Sequence, residues 1–336
     1  MKKIVVIGGG VAGIEASKNL SKLGFAVSVI ERSDKIGGKL NRWDRLFPNK
    51  RPASELLAKL TTGLEGISTY VNTEVATVKK TNGSFDVNLS NGQTLNGDAI
   101  LLSTGFDLFD AHRKEEYGYG IYDNVITSAD VEKIFKSGKP LLTHAGKTPK
   151  RVGIIHCVGS RDEKAGNTYC SKVCCVTAVK QAIEIKETSP NTEVFCFYMD
   201  LRMFGRHFED LYKEAQMKCG VQFIRGRLSE AFENTDGSIM LKAEDTLLGK
   251  PLKINVDIAI LMAGMVPSVQ THRLTGLLNV QNDADGFIAN TDPHYGSYNT
   301  NIPGVFAAGT CKGPRTLENT INEARAVALE IADYLK

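Results

Sequence analysis

The sequence predicts an α/β protein built on doubly wound parallel sheets, and three observations carry that expectation. Lys3–Ile7 is a short, continuous β-branched run, as buried parallel strands are. A helix-period segment, Val11–Leu23, and a second strand-like run, Ala26–Ile30, follow it and complete one strand–helix–strand unit. Arg151–Cys157 then repeats the opening pattern of basic residue, β-branched strand and glycine-containing turn.

Each element has a local cause. Ile14, Leu20 and Leu23 share one side of the first helix, and Gly24 stops it. A second helix is expected over Ser54–Leu64. Three strand-like stretches follow between Thr69 and Leu102, separated by Asn82-Gly83 and Asn91-Gly92, which are strong hairpin signals. A helix is expected near Ser128–Phe135 with Ser128 as its cap. Gly138–Lys150 is polar, with two prolines and two glycines, and reads as a connection. A helix over Ser171–Glu187 and a strand over Glu193–Tyr198 follow the second turn. The run Val256–Gly264 echoes Asp98–Gly105, and Gly304–Gly309 leads into a last helix from about Leu317. The expected division is a first domain in two segments, residues 1–140 and 266–336, with a second domain inserted at 141–265.

At 336 residues the chain has room for two domains of roughly 150 residues each. Apolar residues make up 42%, which excludes wholesale disorder. A net charge of +3, from 41 basic and 38 acidic side chains, is too slight to imply nucleic acid or an acidic membrane. No run approaches the ~18 apolar residues of a membrane span. Met1-Lys2-Lys3 precedes an apolar stretch, but Gly8-Gly9-Gly10 cuts it short, so it reads as a first strand in a cytoplasmic protein.

Gly8, Gly10 and Gly13 form GxGxxG between a strand and a helix. The first glycine allows the tight turn, the second lets backbone approach a pyrophosphate, and the third lets helix and strand pack closely. The helix N-terminus offers free N–H groups to phosphate. Glu31 ends the second strand 18 residues after Gly13, where a carboxylate suits an adenosine ribose. These features do not separate FAD from NAD. Gly37-Gly38-Lys39 and Gly304–Gly309 are similar to the accessory motifs of two-domain flavoprotein reductases. That resemblance implies a thioredoxin-reductase-like flavoprotein with two dinucleotide-binding domains. It sets Thr104-Gly105 along FAD and Gly309 at the flavin end, with Thr310 where the family usually carries Asp. The candidate cofactor set also takes in Val11, Ala12, Arg32, Val75 and Thr320.

Four of seven cysteines, Cys157, Cys170, Cys174 and Cys175, lie within 19 residues. A secreted disulfide framework would spread them out. They stand where a second nucleotide turn would fall, and His156-Cys-Val-Gly-Ser-Arg-Asp162 keeps one glycine, which argues against NAD(P)H there. Thiolates suit iron–sulfur clusters or zinc. Redox-active thiols and buried core cysteines are the alternatives. On a helix Cys170 and Cys174 would share a face, with Cys175 turned by about 100°.

The segments 156–162, Tyr169-Cys-Ser-Lys-Val-Cys-Cys175 and Lys180-Gln181-Ala182 are together similar to the A-type subunit of heterodisulfide reductase. Tyr117-Gly-Tyr-Gly120, Val125-Ile-Thr-Ser128 and Tyr198-Met-Asp-Leu-Arg202 add to the resemblance. It implies that the four cysteines hold a [4Fe–4S] cluster and that Lys180, the candidate catalytic residue, lies by the isoalloxazine ring. His156 reads as a hydrogen-bonded histidine at a strand end. No C-x2-C-x2-C pattern occurs, so the sequence resembles a short form, like the subunit of the bacterial sulfur-oxidation complex. The implied function is electron transfer through FAD and the cluster, as an oxidoreductase subunit that is a homodimer within a larger complex. Two rivals remain: an NAD(P)H-dependent flavin disulfide reductase, and a non-catalytic FAD-binding assembly or redox-sensing subunit.

Overall fold

The computed structural model describes every residue except 293 and 296. The chain forms two compact units. The first comprises Met1–Asn41, Ser54–Asp107 and Met265–Lys336, and the second Arg42–Ala53 and Leu108–Gly264.

In the first unit, β1 (Lys3–Ile7) lies at the centre of a five-stranded sheet. It pairs in parallel with β2 (Ala26–Ile30) on one side and with Ala99–Leu102 on the other. Ser68–Tyr70 and Val305–Ala307 add the two edges, also in parallel. Both faces are covered, so the strands are continuously apolar. The period of two sorts their side chains. Ile4, Val6, Val27, Val29, Ala99 and Leu101 pack with α1 (Val11–Lys22) and the last helix, Leu317–Tyr334. Val5, Ile7, Ile30, Ile100 and Leu102 face the other way, among Val75, Phe85, Val87 and Leu89 of an antiparallel three-stranded sheet. Each such side chain contributes about 1.5–3 kcal/mol by leaving water.

The hairpin signals act in two ways. Asn82 and Gly83 both have positive φ, as a two-residue hairpin turn requires. At the second turn only Gly92 does, and Leu89 donates to the carbonyl of Gln93, which gives a longer loop.

The second unit repeats this plan. Its parallel sheet runs Val125–Thr127, Ile258–Ala263, Arg151–Val158, Glu193–Tyr198, Gln222–Arg225. A three-stranded antiparallel sheet spans Leu228–Val256. The helix Cys174–Thr188 packs on the parallel sheet and is buried along most of its length.

Three expectations need correction. The first crossover falls at Asp107 and not at 140, because Val125–Thr127 joins the second sheet beside Ile258–Ala263 and draws the preceding residues with it. Residues 42–53 also belong to the second unit, where Phe47 meets Phe208 edge to face at 5.4 Å. The cap of the helix Ser128–Lys136 is Thr127, not Ser128. Its hydroxyl accepts from the Asp130 backbone N–H while Asp130 accepts from the Thr127 N–H, a reciprocal capping box. Among the described residues no helix is long and apolar enough to cross a membrane.

Candidate functional site

The glycine turn of the first unit has the geometry its sequence implies. Gly8 has φ +109°, and a side chain there would meet the Ser103 carbonyl at 2.4 Å. A Cβ on Gly13 would sit 1.9 Å from the Gly8 carbonyl oxygen, so helix and strand touch there. Gly10 differs: nothing lies within 4 Å of a Cβ built on it. It is the N-cap of α1, makes no side-chain cap, and the first turn holds no acidic residue. An uncapped helix N-terminus facing open space is an anion site.

Other candidates gather around it. Glu31 is buried and accepts from the Gly9 N–H at 2.8 Å and from the backbone and hydroxyl of Ser33 at 2.8 and 2.7 Å. A carboxylate has about four acceptor positions, so room for one more donor remains. Gly37 donates to the Gly9 carbonyl at 2.7 Å, and a Cβ on Gly38 would approach the Gly10 Cα to 3.0 Å. A Cβ on Gly309 would lie 2.8 Å from that of Ala12 and 3.6 Å from Thr320. One on Gly105 would stand 3.8 Å from the Thr310 hydroxyl. Val11 opens α1. Thr104 shares a 2.6 Å hydrogen bond with Thr271. Lys39 reaches Asp107 at 3.5 Å and lies over the Phe106 ring. Arg32 is exposed beside Glu31, and Val75 is core beneath Ile7 and Ile30.

Sequence reasoning misses a neighbouring ionic cluster. Glu323 of the last helix accepts from the Gly309 N–H at 2.7 Å and pairs with Lys312 at 3.0 Å and with Arg315. Burial lowers the Lys312 pKa and the carboxylate counteracts it. The one signal for it is Lys312-Gly-Pro-Arg315 between a glycine turn and a helix bearing Glu323.

In the second unit, the strand Arg151–Val158 ends in a loop of left-handed residues: Cys157 (φ +58°), Gly159 (φ +67°) and Arg161 (φ +53°). Pairing with Ile258–Ala263 slips between Ile155 and Val158, so the strand bends where the first thiol stands. Cys170 lies in coil and not on the helix, because the helix begins at Cys174 after Lys172, which has φ +62°. The expected shared helical face of Cys170 and Cys174 therefore does not exist. A turn of the coil brings Cys170 in instead, and the Lys172 N–H donates to its sulfur at 3.3 Å.

The four thiols sense one another. Burial pushes Cys157 up to about 11, with Cys175 and Cys170 adding to the rise. Burial raises Cys174 well above its ordinary value, and Cys157, Cys175 and Cys170 raise it further. Cys175 is raised by burial and partly relieved by the Arg202 backbone N–H. Arg161 favours ionised Cys157 and Cys175. Its Nη2 binds Asp200 at 2.7 Å while its Nη1 is buried without a partner. Among the described residues no three His, Cys, Asp or Glu side chains converge on one point as a single ion requires.

Lys180 lies in a buried ionic cluster. It is 1% exposed, and its Nζ pairs with Glu132 at 2.6 Å and Glu184 at 3.0 Å and donates to the Arg45 carbonyl. The Glu184 contact is ionic without an aligned hydrogen bond. Burial raises Glu184 to about 7, against the pull of Lys180. His156 is not the hydrogen-bonded histidine expected. Both ring nitrogens are buried without partners, and burial lowers its pKa to about 4.

The sequence profile of the pyridine nucleotide-disulphide oxidoreductases matches residues 1–138 and 176–326. The unmatched stretch, 139–175, contains all four clustered thiols. The chain is 31% identical to the A-type subunit of the H(2)/formate:CoB-CoM heterodisulfide,ferredoxin reductase of Methanococcus maripaludis, over 98% of this chain and 64% of that protein. It is 30% identical to the A-type iron-sulfur subunit of the CoB–CoM heterodisulfide reductase of Methanocaldococcus jannaschii, again over 98% and 64%. The resemblance to these subunits therefore holds, and the chain spans just under two thirds of their length. In fold it is similar to the thioredoxin reductases of Lactococcus lactis (TM-score 0.71, 18% identity, 100% and 99% of the two chains) and T. acidophilum (0.68, 18%, 100% of both).

Two outcomes follow from these contacts. Gly13→Ala drives a methyl into backbone and costs ~1–3 kcal/mol, whereas Gly10→Ala costs less than about 1 kcal/mol. Urea unfolding of the cofactor-free protein measures both, and equal losses would contradict the close packing at Gly13. Glu184 holds its proton more tightly folded (about 7) than at its ordinary 4.5, so the folded state carries extra protons in that window. Its stabilising contribution is therefore full below about pH 4.5 and lost as pH rises through 7. Glu184→Gln should flatten the fall of Tm between pH 5 and 8, and an unchanged slope would refute the assignment.

Proposed function

Because this chain belongs to the pyridine nucleotide-disulphide oxidoreductase family, we propose that it is an electron-transfer subunit holding FAD in its first unit and a [4Fe–4S] cluster in its second. The family implies FAD, and the chain is an oxidoreductase flavoprotein by that membership. The open approach over Gly10, the uncapped N-terminus of α1 and the spare acceptor capacity of Glu31 fit the cofactor.

One observation carries the cluster: four thiols, three of them buried, occupy the stretch where the family match breaks off. Each cysteine of a [4Fe–4S] cluster binds a different iron, so the thiols need not meet at one point. Zinc sites characteristically draw short C-x2–4-C pairs from two places, whereas this set has one isolated cysteine and three near a helix start. When bound, FAD takes electrons in pairs and the cluster passes them singly. The chain's own part is to hold and tune. Gly10 and the N-terminus of α1 would hold the pyrophosphate, Glu31 the ribose, and Gly309 and Thr310 the flavin end. Arg161 and the Arg202 N–H stabilise the thiolates. Lys180, the candidate catalytic residue, is held between the carboxylates of Glu132 and Glu184. The single glycine of the second turn disfavours NAD(P)H as a direct partner.

We further assign the protein to a heterodisulfide-reductase-like complex of the cytoplasm, as a homodimer that exchanges electrons with partner subunits or a thiol-linked substrate during sulfur-compound oxidation. The relatives named as heterodisulfide reductase subunits support the assignment to such a complex. Anaerobically purified protein should contain FAD together with iron and acid-labile sulfide in equal amounts, read by metal analysis and by a visible and EPR titration. Cys174→Ser should lose the iron and keep most of the FAD. Stoichiometric zinc without iron, or rapid bleaching of the flavin by NADPH or NADH, would overturn the proposal.

A further inference from the structure

Four polar side chains are enclosed where the helix Cys174–Thr188 meets the helix Ser128–Lys136. They are Lys180, Gln181, Glu184 and Glu132, each at most 5% exposed. Two carboxylates and one ammonium leave this group one cation short. The two acids are not equivalent. Glu132 accepts from Lys180 Nζ at 2.6 Å, from Gln181 Nε2 at 2.8 Å and from the Asp44 N–H at 3.0 Å, which are the surroundings of an ionised carboxylate. Glu184 meets Lys180 Nζ at 3.0 Å, and neither of its oxygens makes an aligned hydrogen bond. Lys180 has no further proton to offer, because its third contact is the Arg45 carbonyl at 3.2 Å.

Gln181 supplies the complement. Its Nε2 donates to Glu132 and to the Ser128 carbonyl, both of them acceptors, so the amide has one orientation. Its Oε1 is then a buried acceptor that no described residue donates to. Gln181 stands three residues before Glu184 on one helix, a spacing at which side chains are neighbours. Unpartnered oxygens on both residues point to a missing hydrogen, and a proton on Glu184 donated to Gln181 Oε1 satisfies both. The remaining charges around the helix are engaged or exposed. Arg45 draws Glu184 toward ionisation, but it is paired with Glu187 at 2.9 Å and Asp44 at 3.8 Å. Lys50 is held by Glu187 and Glu214, Lys133 by Asp130, and Lys186 by the Pro190 and Thr192 carbonyls. Lys136 is exposed, as are Glu209, Asp210 and Lys213 of the helix Phe208–Lys213. The sheet below presents Ile154, Ile258 and Ile260.

We propose that Glu184 is a proton site coupled to the sulfur site: its carboxylate takes a proton from water when an electron enters the cluster and returns it when the electron leaves. This rests on the cluster reading above. A one-electron reductant supplies the electron, water supplies the proton, and the Glu184 O–H bond is the one bond made on reduction and broken on reoxidation. The link is electrostatic. One helix carries Cys174, Cys175 and Glu184, with Glu184 roughly 15 Å along the axis from Cys174. Over that distance, at an effective dielectric constant of about 20, one added negative charge raises a proton affinity several-fold. By linkage the proton raises the affinity for the electron by the same factor.

The test uses the whole protein, purified anaerobically, with two readouts. Infrared spectroscopy in H2O and D2O follows the protonated carboxyl band, and EPR-monitored titration with dithionite follows the cluster, both between about pH 6 and 8.5. Wild type should show a buried carboxylic acid at the acid end that fades as pH rises, and Glu184→Gln should lack it while keeping the wild-type content of FAD and iron. At the alkaline end, reduction should restore the band in wild type alone. The electron affinity of the cluster should fall several-fold across this range in wild type and stay level in Glu184→Gln. Glu187→Gln, a change at an exposed carboxylate of the same helix, should behave as wild type. No such band in wild type, or the same band in Glu184→Gln, would overturn the proton site. A cluster potential with equal pH dependence in wild type and Glu184→Gln would overturn the coupling. Protein without iron would sink the cluster reading and the coupling with it, while the infrared band would still report the proton.

Discussion

Four thiols crowded into one buried place cannot all ionise on their own. Burial disfavours each thiolate, and every additional charge disfavours the rest. Cys157, Cys174 and Cys175 meet this constraint, and Cys157 is driven to about 11. The surroundings respond to it. Arg161 leaves one guanidinium nitrogen unpaired and buried, the Arg202 N–H reaches Cys175, and the Lys172 N–H reaches Cys170. These groups offset part of the cost.

The same strand–turn–helix plan is used twice with opposite outcomes. In the first unit, glycines bring backbone against backbone: Gly8 meets Ser103 and Gly13 meets Gly8. The space this leaves opens over Gly10 at a helix N-terminus. In the second unit the corresponding turn carries side chains. Cys157 and Arg161 adopt left-handed backbone, an uncommon state for such residues. Phe109 lies where any side chain on Gly159 would go, so even the surviving glycine serves packing. The difference between a nucleotide site and a sulfur site thus comes from a few residues on a constant scaffold.

Buried charge is a second theme. Lys180 sits between Glu132 and Glu184, and Lys312 beside Glu323, each nearly closed to solvent. Such clusters resist removal of a single member because the partner charge is left without compensation. They give both units polar anchors that an apolar core cannot, and they make Glu184 a group that changes charge near neutrality.

Much of this was legible in the sequence, for a simple reason: it depends on local order. Strand runs, the glycine turn, the hairpin dipeptides and the spacing of the cysteines are properties of neighbours along the chain, and Lys3–Ile7, Ala26–Ile30 and Glu193–Tyr198 form strands with the bounds their patterns imply. What the tertiary structure alone decided depends on residues far apart. Residues 42–53 and 108–140 join the second unit through strand pairing and through Phe47 against Phe208. Lys180 meets Glu132 from another helix, 48 residues away. Cys170 reaches the other thiols by a turn of coil that no helical periodicity encodes. Local patterns specify which elements form, whereas side-chain partners and charge balance follow from packing between distant segments, which sequence spacing does not measure.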